Sequence, residues 1–205
     1  MKIDRRGSLF RWTLLTMLGL AVGIATALLL GRPIEAVVGM MLVTPILTFV
    51  AGAILGASQW LQLRSLLNHT RLWVLATCIG LGVGLALGVV TVEGVGRLLA
   101  GHRPNLFHLS VLWRAASLAA LGLITGCALG AAQWFIVLRR RGPSANWIAK
   151  SAVSLAIAFS LSSLIVDGLV GGIASAPGAI TFVLLAGAIF GAVTAPPLLR
   201  AVLAD

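Results

Sequence analysis

Six long apolar runs, joined by short connections that hold most of the charged residues, constrain the fold of this chain more than any other feature. The runs are residues 12–31, 37–62, 72–92, 114–138, 147–168 and 178–199. Each is long enough to cross a hydrocarbon core of about 30 Å as an α-helix. Because 60% of the residues are hydrophobic and only 10% are charged, a soluble domain would lack the polar side chains to cover its surface. The sequence therefore predicts an all-α integral membrane protein, with residues 1–205 forming a single transmembrane domain of six helices.

Prolines mark two of the predicted helices. Pro45 lies inside the second run, where a membrane helix tolerates proline and is expected to kink. Pro196 and Pro197 are expected to end the sixth helix, because proline lacks the backbone N–H that continues the hydrogen-bond ladder.

A glycine-rich pattern occurs three times along the chain. It reads GAILGASQWLQLR from Gly52 and GCALGAAQWFIVLR from Gly126. It returns in altered form as GAIFGAVTAPPLLR from Gly187, where Thr194 and Ala195 replace the Gln-Trp pair. Each copy begins with two glycines four positions apart, a motif that lets membrane helices approach closely. The predicted packing glycines are Gly52, Gly56, Gly126, Gly130, Gly187 and Gly191.

A second pattern precedes each glycine motif. Trp12, Trp73 and Trp147 are each followed at offsets of 4, 7 and 11 by small residues, which places those residues on one stripe of a helix. The spacing from Trp12 to Gly52 and from Trp147 to Gly187 is 40 positions, whereas Trp73 to Gly126 is 53. This constancy predicts three tandem parallel helical hairpins around a pseudo-threefold axis. The predicted repeats are residues 12–64, 73–139 with an extended outer hairpin at 94–113, and 147–200.

The distribution of lysine and arginine predicts the orientation in the membrane. With the N-terminus in the cytoplasm, eleven of the 15 basic residues lie inside and four lie outside, which fits the positive-inside rule. Both termini are then cytoplasmic, and the expected location is the bacterial cytoplasmic (inner) membrane. Attraction to anionic lipid explains most of the net charge of +10 without a nucleic-acid partner. Five tryptophans are then expected as interfacial anchors in an aromatic belt: Trp12, Trp60, Trp73, Trp134 and Trp147.

Two glutamines are the main polar residues within the predicted spans. Gln59 and Gln133 each lie seven residues after the first glycine of their motif, on the same helix face. We expect them to form hydrogen bonds between helices. A ligand-binding role is the alternative.

Two acidic residues lie at equivalent positions in their repeats, where negative charge is unfavourable. Glu93 and Asp167 each lie 20 positions after a repeat tryptophan, near the C-terminal end of a helix, where the macrodipole disfavours negative charge. They are interpreted either as outer-rim ion pairs or as a proton or cation path. The other charged residues of this predicted rim are Arg32, Glu35, Arg97 and Arg114.

The longer turn of the second repeat suggests a docking surface. Residues 94–113 read GVGRLLAGHRPNLFHLSVLW and form either an extended hairpin or an interfacial helix with exposed apolar side chains. Leu106, Phe107 and Trp113 are the predicted contacts with a membrane-protein partner.

Catalysis and metal binding are not expected. The chain has only three histidines and five acidic residues, and it contains no HExxH, GxSxG or Walker sequence. We therefore predict no catalytic residue, no metal site and no cofactor.

The repeated GxxxGxxQW followed by arginine resembles uncharacterised multi-spanning bacterial membrane proteins in which this hairpin is duplicated. The resemblance covers residues 12–200, and the third repeat departs from the pattern. It implies no activity. The size and helix count are also similar to those of the substrate-binding subunits of energy-coupling vitamin transporters, although no motif supports that similarity.

Two functions follow as hypotheses. The first is a non-enzymatic accessory or scaffold subunit that packs within or docks onto a larger membrane complex. The second is a small-solute or ion transporter or channel-like protein, with a path along Glu93, Asp167, Gln59 and Gln133. A polar cavity that reaches these four side chains would favour transport, and a packed apolar centre would favour the accessory role.

Overall fold

The computed structural model describes residues 5–38, 40–64, 71–100, 110–139, 146–170, 172–173 and 175–203. All of its regular elements are helices, and six of them are long and apolar enough to cross a membrane. The predicted all-α chain with six membrane-length helices is therefore confirmed. The helices are α1 Arg5–Val38, α2 Met40–Leu63, α3 Arg71–Ala100, α4 Val111–Gln133, α5 Asn146–Val170 and α6 Ala176–Leu203, and a π-helical segment, Trp134–Leu138, follows α4 directly.

Three helix ends differ from the sequence-based boundaries. α6 continues through Pro196 and Pro197 to Leu203, so the prediction that these prolines end the helix is wrong. Membrane helices tolerate proline because neighbouring groups and local adjustments satisfy the freed carbonyls. α1 extends to Val38 across Pro33. α3 continues to Ala100, so the first part of the predicted outer hairpin is helical, while residues 101–109 lie outside the described part of the chain.

The six helices form a closed ring in chain order. Each helix packs against the helix that follows it, and α6 packs against α1. The contacts between neighbours run in opposite directions along the chain, as with Gly80 against Leu129 and Gly84 against Thr125. One apolar core cluster lies in the middle of the ring and takes buried side chains from every helix, including Leu20, Leu55, Leu81, Leu129, Leu155 and Phe190. The helices therefore surround a common axis.

Glycines let the helices of the ring approach one another closely. A β-carbon on Gly56 would lie 2.9 Å from Cα of Val74, and one on Gly191 would lie 2.9 Å from Cα of Thr13. At Gly126 a β-carbon would overlap the backbone carbonyl of Ser151. The small residues that follow each repeat tryptophan also allow close approach, because Gly23 lies against the backbone of Ala51. Small residues thus replace lipid contacts with backbone-to-backbone packing.

The connection between α5 and α6 depends on two glycines. Gly172 has a φ of +109°, in the left-handed region that favours glycine, and its N–H donates to the carbonyl of Val166 to close α5. Ser175 Oγ accepts a hydrogen bond from the N–H of Gly178 at 3.0 Å and so caps the start of α6. A β-carbon on Gly178 would overlap the carbonyl oxygen of Gly172, so this turn excludes larger residues there.

Candidate functional site

Three tryptophans meet at one end of the ring, where α1, α3 and α5 begin. Trp12 and Trp73 are in edge-to-face contact with centroids 6.1 Å apart, and Trp73 and Trp147 are 6.4 Å apart. We call these three residues the tryptophan layer. All three are buried, and Leu63, Leu138 and Leu198 pack against them. Because α2, the π segment and α6 each supply one of these leucines, the layer fills the end of the ring with apolar side chains.

Each glutamine bridges two helices through its side-chain amide. Gln59 Nε2 donates to Thr16 Oγ1 at 3.2 Å, and Gln59 Oε1 accepts from Trp73 Nε1 at 3.0 Å. The amide of α2 therefore joins α1 to α3. In a membrane interior these bonds satisfy groups that have no water to bind.

The second glutamine repeats this arrangement one hairpin later. Gln133 Nε2 donates to Thr77 Oγ1 at 3.1 Å, and Gln133 Oε1 accepts from Trp147 Nε1 at 3.2 Å. Both glutamines are only 1% exposed. Their polar atoms are therefore occupied by neighbouring side chains and face no open path.

A threonine takes the corresponding position on α6. Thr194 Oγ1 accepts from Trp12 Nε1 at 3.2 Å, which links α6 to α1. Its own hydrogen points to the carbonyl of Phe190 at 2.7 Å, so threonine makes no second bridge as the glutamine amide does. Ser151, which lies four residues after Trp147 as Thr16 lies after Trp12, is fully buried, and its hydroxyl has no hydrogen-bond partner among the described residues. At this third position the bond from the tryptophan is therefore formed, while the bond to the hydroxyl of Ser151 is not.

The π-helical segment adjusts the register of the second glycine motif. Leu138 lies five positions after Gln133, whereas Leu63 lies four positions after Gln59. In a continuous α-helix the extra residue would rotate Leu138 away from the position that Leu63 takes relative to Gln59. The wider π turn at Trp134–Leu138 accommodates the extra residue and restores that position. As a result Leu138 and Leu63 both reach the tryptophan layer with exposures of 1% and 0%. The one-residue difference between QWLQLR and QWFIVLR was the sequence signal for this segment, and sequence reasoning missed it.

The aromatic-belt prediction is wrong for the three tryptophans of the layer. Trp12, Trp73 and Trp147 are exposed by only 1%, 0% and 4%, so they are core residues and do not face lipid headgroups. Trp60 and Trp134 are half-buried. The guanidinium of Arg64 lies 5.7 Å from the centroid of Trp60, a position compatible with the predicted anchoring role.

A buried ion pair joins α4 to α5 at the opposite end of the ring. Arg114 Nε lies 3.2 Å from Asp167 Oδ2, and the two side chains are 11% and 7% exposed. Arg114 is in the first turn of α4 and Asp167 is in the last turn of α5, so each charge opposes the macrodipole of its own helix. The pairing therefore compensates two charges that are unfavourably placed on their own helices.

A second charged pair of the predicted rim, Glu93 and Arg97, is more exposed. Arg97 Nη2 lies 3.4 Å from Glu93 Oε2, one turn apart on α3, with exposures of 48% and 44%. Glu35 is half-buried near the end of α1, and the side chain of Arg32 lies outside the described part of the structure. The structure thus pairs Glu93 and Asp167 with different arginines. An exposed pair such as the first adds little stability.

An apolar cavity of about 320 Å³ lies in the centre of the ring. All six helices line it, for example through Leu20, Thr48, Leu81, Leu118, Phe159 and Phe182. Thr48 is the single polar residue among the described lining residues. Gln59, Gln133, Glu93 and Asp167 do not belong to this described lining, so the cavity is not a polar path between them.

Part of the predicted docking surface can be located. Trp113 is 64% exposed in the first turn of α4, and the neighbouring Leu112 is 78% exposed. Leu106 and Phe107 lie outside the described residues.

Within the described ranges, no group of three or more His, Cys, Asp or Glu residues is placed to hold a metal ion.

Comparison with known proteins gives no relative from which a function could be transferred. No family model matches the chain, and no match was found among curated proteins or solved structures. The features that bear on function are therefore those of the six-helix ring itself, with its tryptophan layer at one end, an apolar cavity in the centre and a buried ion pair at the other end.

Proposed function

We propose that this protein is a non-enzymatic accessory or scaffold subunit of a larger membrane complex. The observation that carries the proposal is the apolar centre of the ring. A scaffold must present a stable outer surface and needs no internal polar route. A small-solute or ion transporter needs polar groups along a route to replace the hydration of its substrate.

The positions of the polar residues argue against such a route. The amides of Gln59 and Gln133 are held by tryptophan and threonine side chains on both sides. The carboxylate of Asp167 is paired with Arg114, and the cavity between these two levels is apolar. An ion that entered this centre would lose its water without gaining ligands.

The architecture that we propose is three tandem hairpin repeats around a pseudo-threefold axis. Its support is the recurrence of equivalent contacts. Gly56, Gly130 and Gly191 each lie against the helix that follows in the ring, and an indole N–H is accepted by Gln59, Gln133 or Thr194 in turn. In this arrangement the tryptophan layer lies at the cytoplasmic side of a bacterial inner membrane, because the basic residues concentrate at that end.

The proposed partner surface is the outer end of α4. Leu112 and Trp113 present exposed apolar side chains next to the charged rim, and aromatic residues are common anchors in protein interfaces. We propose a membrane-protein partner there, with contributions from the segment that contains Leu106 and Phe107.

The test is extraction of the tagged native protein in a mild detergent, followed by quantitative mass spectrometry of co-purifying proteins. We expect one partner at a stoichiometric level, lost in the double variant Leu112→Ala, Trp113→Ala. Phe10→Ala is the matched control, because Phe10 is 68% exposed at the opposite end of the ring. Isolation of the wild-type protein without a partner would contradict the accessory role.

A flux assay in proteoliposomes tests the transporter alternative. We expect no flux of small cations or protons above that of empty vesicles. A flux that disappears in both Glu93→Gln and Asp167→Asn would establish transport and overturn the proposal.

A further inference from the structure

The central cavity combines an apolar lining with a position at hydrocarbon depth. Its lining residues come from all six membrane-length helices, so every helix contributes to the wall of a cavity that is partly open to its surroundings. Leu20 and Ala27, seven positions apart on α1, show that it spans about two helical turns. Its volume is about 320 Å³.

The inner end of this cavity is closed by large side chains. Leu55 and Phe190 lie one turn beyond the lining residues Ala51 and Ala186, towards the tryptophan layer. These two side chains and Leu129 are 2%, 3% and 1% exposed. A molecule in the cavity therefore cannot continue along the axis past the tryptophan layer.

Water is a poor occupant of such a space. A buried water needs two to four polar partners, and apolar cavities remain dry. An empty cavity of this size is also unfavourable, because its lining loses the dispersion contacts that a filled interior would supply. The surrounding solvent is the bilayer, whose acyl chains match the lining chemically and lose no hydration on entry.

We propose that the cavity binds one acyl chain of a membrane lipid. An engineered cavity of about 150 Å³ admits benzene, with its six carbons, so about twice that volume accommodates roughly a dozen chain carbons. The remainder of the lipid, including its headgroup, lies outside the cavity. This inference is independent of the proposed scaffold role, since a structural lipid can occupy a scaffold or any other membrane protein.

The direct test is photo-crosslinking in vesicles of phosphatidylcholine that carries a diazirine at the end of one acyl chain. The full-length protein is reconstituted and irradiated, and the adducts are located by mass spectrometry of peptides. We expect adducts on inward-facing lining residues such as Leu118, Phe159 and Phe182, in addition to those on the lipid-facing surface. The absence of adducts on inward-facing residues of the wild-type protein would overturn the proposal.

Two variants make the assignment specific to the cavity. Val183→Phe enlarges a side chain that lines the cavity from α6, and Ala27→Phe does so from α1, so at least one is expected to fold. Each is expected to lose the inward-facing adducts while those on the outer surface persist. The matched control is Ala120→Phe, because Ala120 is exposed on the lipid-facing side of α4. Inward-facing adducts that persist in a folded cavity-filling variant would refute the assignment.

The chemical class of the chain is tested on protein purified from its native membrane. Lipids are extracted after removal of bulk detergent-exchangeable lipid and identified by mass spectrometry. A phospholipid that is retained by the wild-type protein and lost from a folded cavity-filling variant supports the proposal. Retention of a polyprenyl or other non-acyl chain in its place would overturn the acyl assignment.

Discussion

Replacement of Gln133 by leucine is the most direct test of the bridging amide. Leucine removes both hydrogen bonds of this side chain at similar size. Trp147 Nε1–H loses its acceptor, and Thr77 Oγ1 loses the donor that reaches it at 3.1 Å. Both partners are fully or nearly fully buried, with exposures of 4% and 0%, so water cannot replace the amide.

The magnitude follows from the number of groups left unsatisfied. A buried donor or acceptor without a partner costs about 1–3 kcal/mol, whereas hydrogen bonds between membrane helices average about 0.6 kcal/mol and reach about 1.7. Two lost bonds therefore lower the free energy of unfolding by about 2 kcal/mol, a shift of about thirtyfold in the folding equilibrium. Gln59→Leu is expected to give the same value, because it loses an equivalent pair of bonds. Thr194→Val should cost about half as much, since it breaks only one bond between helices, from Trp12, besides the bond within α6 to the carbonyl of Phe190.

The assay is reversible unfolding in mixed micelles, monitored by tryptophan fluorescence and circular dichroism. Ser151→Ala is the matched control, because the hydroxyl of Ser151 is buried without a hydrogen-bond partner in the described structure, and its removal should be neutral or slightly stabilising. A double-mutant cycle with Trp147→Phe isolates the direct bond. If Gln133→Leu is no more destabilising than Ser151→Ala, the amide does not hold the helices together and our reasoning is refuted.

Three further predictions concern packing, charge and register. Gly126→Ala should destabilise the protein by about 1–3 kcal/mol, because the new β-carbon would overlap the backbone of α5, as an unfolding titration would show. Asp167→Asn should cost about 3–5 kcal/mol because it removes the negative charge 3.2 Å from the buried Arg114 Nε, and the thermal midpoint should recover when both residues are replaced by leucine. Deletion of Phe135 should be tolerated, because the π turn reverts to an α-helix that keeps Leu138 in the tryptophan layer, and the helix content by circular dichroism should be unchanged.

Each of these predictions has an internal control. A β-carbon on Gly168 would meet nothing within 4 Å, so Gly168→Ala should stabilise its helix by up to about 1 kcal/mol. Glu93→Gln should change stability by less than about 0.5 kcal/mol, because its ion pair with arginine is exposed. Deletion of Leu61 from α2 should be strongly destabilising, because no π turn is present there to absorb it. Equal effects within any matched pair would contradict the corresponding argument.

The sequence was sufficient for the helices because their signals are local. Long apolar runs with few charges specify membrane-length helices, and glycines four positions apart indicated where backbones approach. The boundaries were less predictable. The prolines at 196 and 197 remain inside a helix because their effect depends on neighbouring groups that the local sequence does not reveal.

The tryptophans show how two sequence signals can conflict. Their position near basic residues suggested an aromatic belt, yet Trp12 lies on the same helical stripe as Thr16 and Gly19, which face the interior. The stripe was the better guide, because a residue on a packed face is buried whatever its type.

The ion pair between Arg114 and Asp167 could be suspected from their exceptional placement, but its partners are 53 positions apart and only the ring brings them together. The cavity could not be predicted, since it depends on the packing of all six helices.

The seam between the first and last helices has a consequence for biogenesis. Trp12 and Thr194 are 182 positions apart, whereas the other tryptophan and glutamine bonds join residues 14 to 56 positions apart. During synthesis the earlier bonds can form as each hairpin inserts, but the indole of Trp12 has no final acceptor until α6 leaves the ribosome. A nascent chain truncated before α6 would leave that indole and the apolar centre open to lipid along one side. We therefore expect truncated chains to be the form that membrane quality-control proteases degrade, and completion of α6 to be the step that makes the protein resistant.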